Sequence, residues 1–426
     1  MAFEVSYNLE NEQQFWDELD DIVSTRCHEH ELIDNALRSY LNVTTSYKSE
    51  YLQTDYSLAK CSYRLLQGDL FNAHKEYVRR QIVYCLLQED DNPTLHIVAA
   101  FLLYDGRNND VTFEMMQAEG TFPRLVELIQ TTAVKEDPGL HQMLLELMYE
   151  SSRIQQLSWE DLMAVDDAFV LFLLEIIEGV SDDADDPYHY PVIRVLLVLN
   201  EQYLVASTTQ HSNGNGGITN RVIKALSTFG MTYKTFGCNL ILLLNRESET
   251  SLQLLILKVL YLLFGNPATA EYFYTNDLHV LIDVILRNLI DLPSDSPAAN
   301  ALRHTYLRVL HPILANSQIS KPPHYKRDEI HKLLHLLVTS GNHFAPVDET
   351  TLRLVKRCTS VPWLQPSPII GGPEQTIGNG QKELARRTLG MSVQGGGESS
   401  TSVLEVAAHT EKPGVQTPSR VKEAQH

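Results

Sequence analysis

Leu240–Leu314 reads LILLL (Leu240–Leu244), then SLQLLILKVLYLLF (Ser251–Phe264), DLHVLIDVILRNLIDLP (Asp277–Pro293) and LRHTYLRVLHPIL (Leu302–Leu314). Between Ser251 and Phe264 only Ser251, Gln253 and Lys258 are plainly polar. A helix that is apolar on nearly every side belongs between neighbours, not on a surface. At fourteen residues with a lysine at its centre, this one is too short and too charged to span a bilayer. The next segment is different. In Asp277–Leu292 the apolar residues Leu278, Leu281, Ile282, Ile285, Leu289 and Leu292 fall three and four apart, while Asp283, Arg287 and Asn288 occupy the other face. Asn266-Pro267 breaks the chain between the two. A buried helix, a break and an amphipathic helix, repeated, is the pattern of an α-solenoid.

The rest of the chain extends that pattern. GTFPRLVELIQ…DPGLHQMLLELMYESSRIQ parallels NDLHVLIDVILRN…SPAANALRHTYLRVLHPILAN about 155 residues later, each an amphipathic helix, a Pro-containing loop and a second helix. This fits armadillo or HEAT repeats of roughly 40–47 residues. Helices are also expected at 9–25 (Phe15, Trp16, Leu19, Ile22, Val23), 71–87, 94–104, 113–118 and 122–130, with Gly120 stopping the helix before it. Pro191 suits the first turn of the long helix VIRVLLVLNEQYLVA. Glu31–Leu66 places Tyr40, Tyr47, Tyr51 and Leu58 on one stripe. It is read as an amphipathic helix whose tyrosines pack their rings and leave their hydroxyls wet, with a docking face as the other reading. No strand-like alternation of useful length occurs. The expected fold is all-α, an armadillo/HEAT-like α-solenoid. Residues 1–110 form an N-terminal helical region packed on the array, 111–360 the repeat core, and 361–426 a disordered tail.

The tail is set apart by composition. From Val361 it holds nine of the 21 glycines and six of the 18 prolines, with Trp363 as its one aromatic residue. Such a stretch buries too little apolar area to offset its ordering entropy, although Gln381–Thr388 could form a short helix. Its six Lys/Arg balance six Asp/Glu, so the net charge of −20 lies wholly in residues 1–360. An acidic body argues against nucleic acid and anionic membrane as main partners. Five scattered cysteines without a CxxC read as reduced thiols. The first sixteen residues lack a secretory signal pattern, and no transmembrane segment is expected.

Catalytic and metal signatures are weak. His331 and His335 share a helix face at i, i+4, without an HExxH glutamate or an evident third ligand. Cys27-His28-Glu29-His30 reads as a helix start. Asp182, Asp183, Asp185 and Asp186 lack EF-hand spacing, and Gly214-Asn215-Gly216-Gly217 lacks the context of a phosphate loop. No catalytic, cofactor or metal residues are expected, and the chain is read as non-enzymatic. A solenoid acts through polar residues set on otherwise apolar helices. Arg194 and Glu201, seven apart, share one helix face, and Ser251 and Lys258 repeat the spacing. With Asn245, Arg246, Arg303, His304 and Arg308, these are the candidate partner contacts. Each could instead be a snorkelling or internally paired charge.

LMYESSR (Leu147–Arg153), VDDAFVLFLL, DPYHYPVIRVLLVLNEQYLV (Asp186–Val205), RVIKALSTFGMTYKTFGCNLILLLNRE, ATAEYFYTNDLHVLIDVILRNLIDLP, LRHTYLRVLHPILAN and PPHYKRDEI resemble the WISH/DIP/SPIN group in its fungal Dip/Ldb branch. The resemblance is close over roughly residues 110–340 and looser in the N-terminal helices. It implies an armadillo-like fold in a cytoplasmic protein of cortical actin patches. It further implies activation of the actin-related protein 2/3 complex without a preformed filament, giving linear filaments that seed branched networks in endocytosis. The implied partner is that complex, gripped through a long helix of one subunit, and filament ends through it. Animal relatives carry an SH3 domain and a proline-rich segment, and this chain shows neither. The alternatives are a generic armadillo adaptor and, more remotely, a metal hydrolase built on His331 and His335.

Overall fold

The structure is a computed structural model describing residues 9–179, 189–210, 218–293, 296–339 and 347–365. The expectations for Asp182–Asp186, Gly214–Gly217, Gln381–Thr388 and the tail beyond Gln365 lie outside those residues. The described chain is all helix, with no strand among its residues, and it forms an α-solenoid. Six helices make its inner stack: α7 (Asn92–Asn108), α11 (Pro138–Ile154), α14 (His189–Gln210), α17 (Thr250–Gly265), α19 (Pro297–Asn316) and α21 (Glu349–Thr359). Each packs on the next. The second layer includes α9 (Thr121–Gln130), α13 (Asp167–Gly179), α16 (Lys234–Arg246), α18 (Thr275–Asp291) and α20 (Arg327–Leu336). In it α9 packs on α11, α13 on α14, α16 on α17 and α18 on α19.

This arrangement accounts for the two helix patterns in the sequence. α17 has neighbours on three sides, so Leu252, Leu254, Leu255, Ile256, Leu257, Val259, Leu260, Leu263 and Phe264 are all buried. α18 packs on α16, α19 and α20 and leaves one face open: Leu278, Leu281, Ile282, Ile285 and Leu289 face the core, and Val280 and Ile290 stay exposed. The two sequence units 155 residues apart are the equivalent outer–inner pairs α9/α11 and α18/α19.

Helix ends follow local chemistry. Asp91, Asp137 and Ser296 accept from the backbone N–H three residues on, and Pro93, Pro138 and Pro297 occupy the first turn, where no intrahelical donor is lost. Gly120, at φ 68°, turns the chain from α8 (Val111–Ala118) into α9 in the left-handed region that glycine tolerates. Gly106 is required for a different reason, since a Cβ there would lie 2.2 Å from the Phe113 ring.

The N-terminal stretch departs from expectation. Glu31–Leu66 is not one amphipathic helix but α2 (His30–Ser46), the single turn α3 (Lys48–Tyr51) and α4 (Asp55–Gln67). Tyr40 is fully buried, and its hydroxyl donates to the Cys61 carbonyl at 3.3 Å instead of reaching water. Tyr47 and Tyr51 stack at 5.8 Å beside Phe15 of α1 (Glu12–Val23), and the Tyr47 hydroxyl accepts from Leu9 N–H at 2.9 Å. The stripe is internal packing. At the other end the packed chain continues past Val361. Val361 and Leu364 are buried, and the Trp363 indole stacks on His324 at 4.6 Å and donates to the Leu314 carbonyl at 2.9 Å.

Candidate functional site

The polar chemistry of the solenoid is concentrated across the inner stack, and its hub is Glu150. This residue lies near the C-terminal end of α11, in the run LMYESSR, where an apolar helix packed between α7 and α14 carries a carboxylate inward. Three guanidiniums converge on it. Arg153 approaches to 2.9 Å, Arg107 of α7 to 3.5 Å and Arg194 of α14 to 3.7 Å. The outer ends of the cluster are closed by further carboxylates: Glu146 holds Arg107 at 2.9 Å, and Glu249, next to the start of α17, holds Arg153 at 3.4 Å. Ser251 donates to Glu249 at 2.8 Å. Arg194 is sandwiched by aromatic faces, 3.9 Å from the Tyr149 centroid and 4.9 Å from that of Tyr190. The Tyr190 hydroxyl donates to Glu247 at 2.9 Å.

Burial alone would raise the Glu150 carboxyl, but Arg153, then Arg194 and Arg107, outweigh it and hold it at about 2. Burial pulls Arg153 and Arg194 down, and their carboxylate and phenol neighbours more than reverse this, so both remain cations. The Tyr149 phenol is pushed up to about 12 by burial, against the pull of Arg194 and Arg153. Glu150, Arg153 and Arg194 are therefore all ionised, and the cluster ties four successive inner helices together.

The sequence candidates divide into two groups. Lys258 and Glu201 are paired with each other at 2.7 Å, with Glu201 only 1% exposed. Of the two arrangements open to Lys258, the structure holds the internal one. Arg194 does not use Glu201, its neighbour two turns along, and goes to Glu150 instead. Arg303 is also internal, donating to the carbonyls of Leu292 (3.2 Å) and Pro293 (2.9 Å), where it closes the end of α18. The second group reaches solvent. Asn245 and Arg246 are exposed in the last turn of α16. His304 and Arg308 are half-exposed one turn apart on α19, and His304 Nε2 lies 3.0 Å from Asp348 and 3.1 Å from Thr351 Oγ1. Burial lowers the His304 imidazole against the pull of Asp348.

Arg107, Glu146, Glu150, Arg153 and Glu249 were not among the candidates. The signal was nonetheless present: Glu150 and Arg153 stand i, i+3 inside an apolar helix, the same anomaly that marked Lys258. The His331/His335 pair lies on α20, with His335 Nδ1 3.1 Å from Thr339 Oγ1. Among the described residues no group of three His, Cys, Asp or Glu is placed to hold a metal ion, and no helix is long and apolar enough to cross a membrane.

Residues 185–330, from α14 to the start of α20, match the family described as SPIN90/Ldb17, leucine-rich domain. Protein dip1 of Schizosaccharomyces pombe is 30% identical over 366 residues, covering 85% of this chain and 96% of its own length. Protein LDB17 of Saccharomyces cerevisiae is 28% identical over 448 residues, covering 91% of this chain and 89% of its own length. Among solved structures, a designed armadillo repeat protein superposes with TM-score 0.33 and 12% identity over 66% of this chain and 97% of the design. A relative 30% identical over 85% of this chain and 96% of its own length shows the family: the chain belongs to the SPIN90/Ldb17 family.

Proposed function

We propose that this chain binds the actin-related protein 2/3 complex and activates it without a preformed filament. The linear filaments so produced would seed branched networks at cortical actin patches during endocytosis, with the protein acting in the cytoplasm. The observation that carries this reading is the 30% identity with protein dip1 over 96% of that relative's length, together with the sequence runs that resemble the fungal Dip/Ldb branch. The protein's role is that of a non-enzymatic scaffold.

In this reading the inner stack receives a long helix of a complex subunit. Asn245, Arg246, His304 and Arg308 make contacts at the surface, while Arg194, Glu201, Lys258 and Arg303 shape it from beneath. Activation then proceeds by conformational bias: the protein prefers the active arrangement of the two actin-related subunits. The bias is bounded by its differential affinity for the two arrangements. Delivery of actin monomers is not part of the mechanism. Trp363 is engaged by Leu314 and His324, and the chain from Val361 onward carries no net charge, so it is no acidic tryptophan tail.

The test is fluorescence-monitored actin assembly with purified complex, with and without preformed filaments. The protein should shorten the lag with monomers and complex alone, and microscopy should show unbranched products. Acceleration only in the presence of preformed filaments would refute the proposal.

A further inference from the structure

At the C-terminal end of the solenoid, α20 and α21 enclose a groove of about 280 Å³ lined by His331, Leu334, His335, Val338, Leu352, Val355, Lys356 and Thr359. Its floor is apolar. Leu334 and Val355 are buried, while Leu352 is 43% exposed where a following helix would pack in a longer array. Among the described residues α21 is the last helix of the inner stack, so nothing covers this face. The rim carries His331, His335 and Lys356 and no carboxylate. Across α20 and α21 five Lys/Arg face three Asp/Glu, a basic balance in a chain of net charge −20. The occupant that fits is a short apolar helix with acidic flanks.

The same chain carries a segment whose sequence has that pattern. Glu398–Glu411, ESSTSVLEVAAHTE, has three glutamates and no Lys or Arg. Ser402-Val403-Leu404-Glu405 matches the S-x-x-E capping-box pattern ahead of an apolar run. Val403, Leu404, Ala407 and Ala408 would share one helix face, with Glu405 beside it. Gln381–Thr388 has the wrong charge for this groove, with Lys382, Arg386 and Arg387 against Glu383. The geometry also permits docking. The described chain ends at Gln365, whose carbonyl accepts from Arg327 at 2.7 Å at the start of α20. The 37 residues from 366 to 402 can span far more than the roughly 15 Å length of that helix.

We propose that residues 402–411 dock as a helix in the α20–α21 groove, with Val403, Leu404 and Ala407 on its floor and the glutamates toward its basic rim. Docking is intramolecular, so a tether-set concentration of about 1 mM acts on it. An intrinsic dissociation constant near 0.1 mM would then slow opening of the groove about tenfold. The test is hydrogen exchange on the full chain, comparing wild type with Leu404→Asp and with Glu405→Lys. Both substitutions lie outside the described residues, so neither replaces a side chain of the described core. Both should speed exchange at the amides of α20 and α21, Leu404→Asp by about tenfold. Those of α11 and α14 should be unaffected. Wild-type exchange rates at α20 and α21 in either variant would overturn the proposal. Protection that grows with protein concentration would do so too, assigning the groove to a second copy. Occupation that needs an added acidic helical peptide, with no effect of the tail substitutions, would assign it to a partner protein.

Discussion

Replacing Glu150 with glutamine keeps the shape of the cluster hub and removes its charge. Arg107 retains Glu146 at 2.9 Å and Arg153 retains Glu249 at 3.4 Å. Arg194 retains the ring faces of Tyr149 and Tyr190 and loses its paired carboxylate. The cost can be reached in two ways. Removing one member of a buried ionic cluster costs about 3–5 kcal/mol. Independently, a carboxyl held at about 2 against an ordinary 4.5 is stabilised in its ionised form by about 3 kcal/mol. The two agree on about 3 kcal/mol. With about 2 cal/mol/K per residue of unfolding entropy over the 332 described residues, that lowers Tm by about 4 °C.

Acid titration separates this cause from loss of packing. The folded-state value is depressed, so the stabilisation is fully present above the unfolded value near 4.5 and is lost as pH falls toward 2. Glu150→Gln has nothing to protonate there. The difference in stability between wild type and variant should therefore be constant above pH 5 and close between pH 4.5 and 2. The measurement is urea unfolding followed by circular dichroism at a series of pH values. A variant within about 0.5 kcal/mol of wild type at pH 7 would refute the reasoning, since it would mean that solvent screens the cluster. So would a difference that persists unchanged at pH 2. Adding Arg194→Met to Glu150→Gln should recover part of the loss, because it removes the stranded cation.

Lys258→Met should cost about 3–5 kcal/mol in denaturant unfolding by leaving the Glu201 carboxylate without its ammonium, and Lys258→Met with Glu201→Gln should cost less than the single change. Gly106→Ala places a methyl group 2.2 Å from the Phe113 ring and should destabilise by about 1–3 kcal/mol, read as a lowered Tm with unchanged helix content in the cold. Limited proteolysis should yield a core ending just beyond Gln365 that keeps the helix content of the described solenoid, because Trp363 and Leu364 are the last anchors among the described residues.

The helical solenoid was legible because its signal is local and periodic. An apolar α17 and an amphipathic α18 record in their own letters whether a face is left open to solvent. In the Tyr-rich stretch the packing of the rings was legible, but the division into three helices and the partners of the hydroxyls were not, because a stripe of tyrosines does not say what its hydroxyls meet. Only the fold brings Cys61 to the Tyr40 hydroxyl and Leu9 to that of Tyr47. The same limit explains the charges. An Arg or Lys in an apolar helix announces that a counter-charge exists, but the partner lies at a sequence distance set by the solenoid. Glu150 and Arg194 are 44 residues apart, and Glu201 and Lys258 are 57 apart, in each case one inner helix to the next. A search for partners within one helix pairs Arg194 with Glu201, whereas a search at the spacing between successive inner helices pairs both Arg194 and Lys258 correctly. That spacing can be read from the repeat itself, so in an α-solenoid an isolated buried charge should be sought against the next repeat before a binding partner is invoked for it.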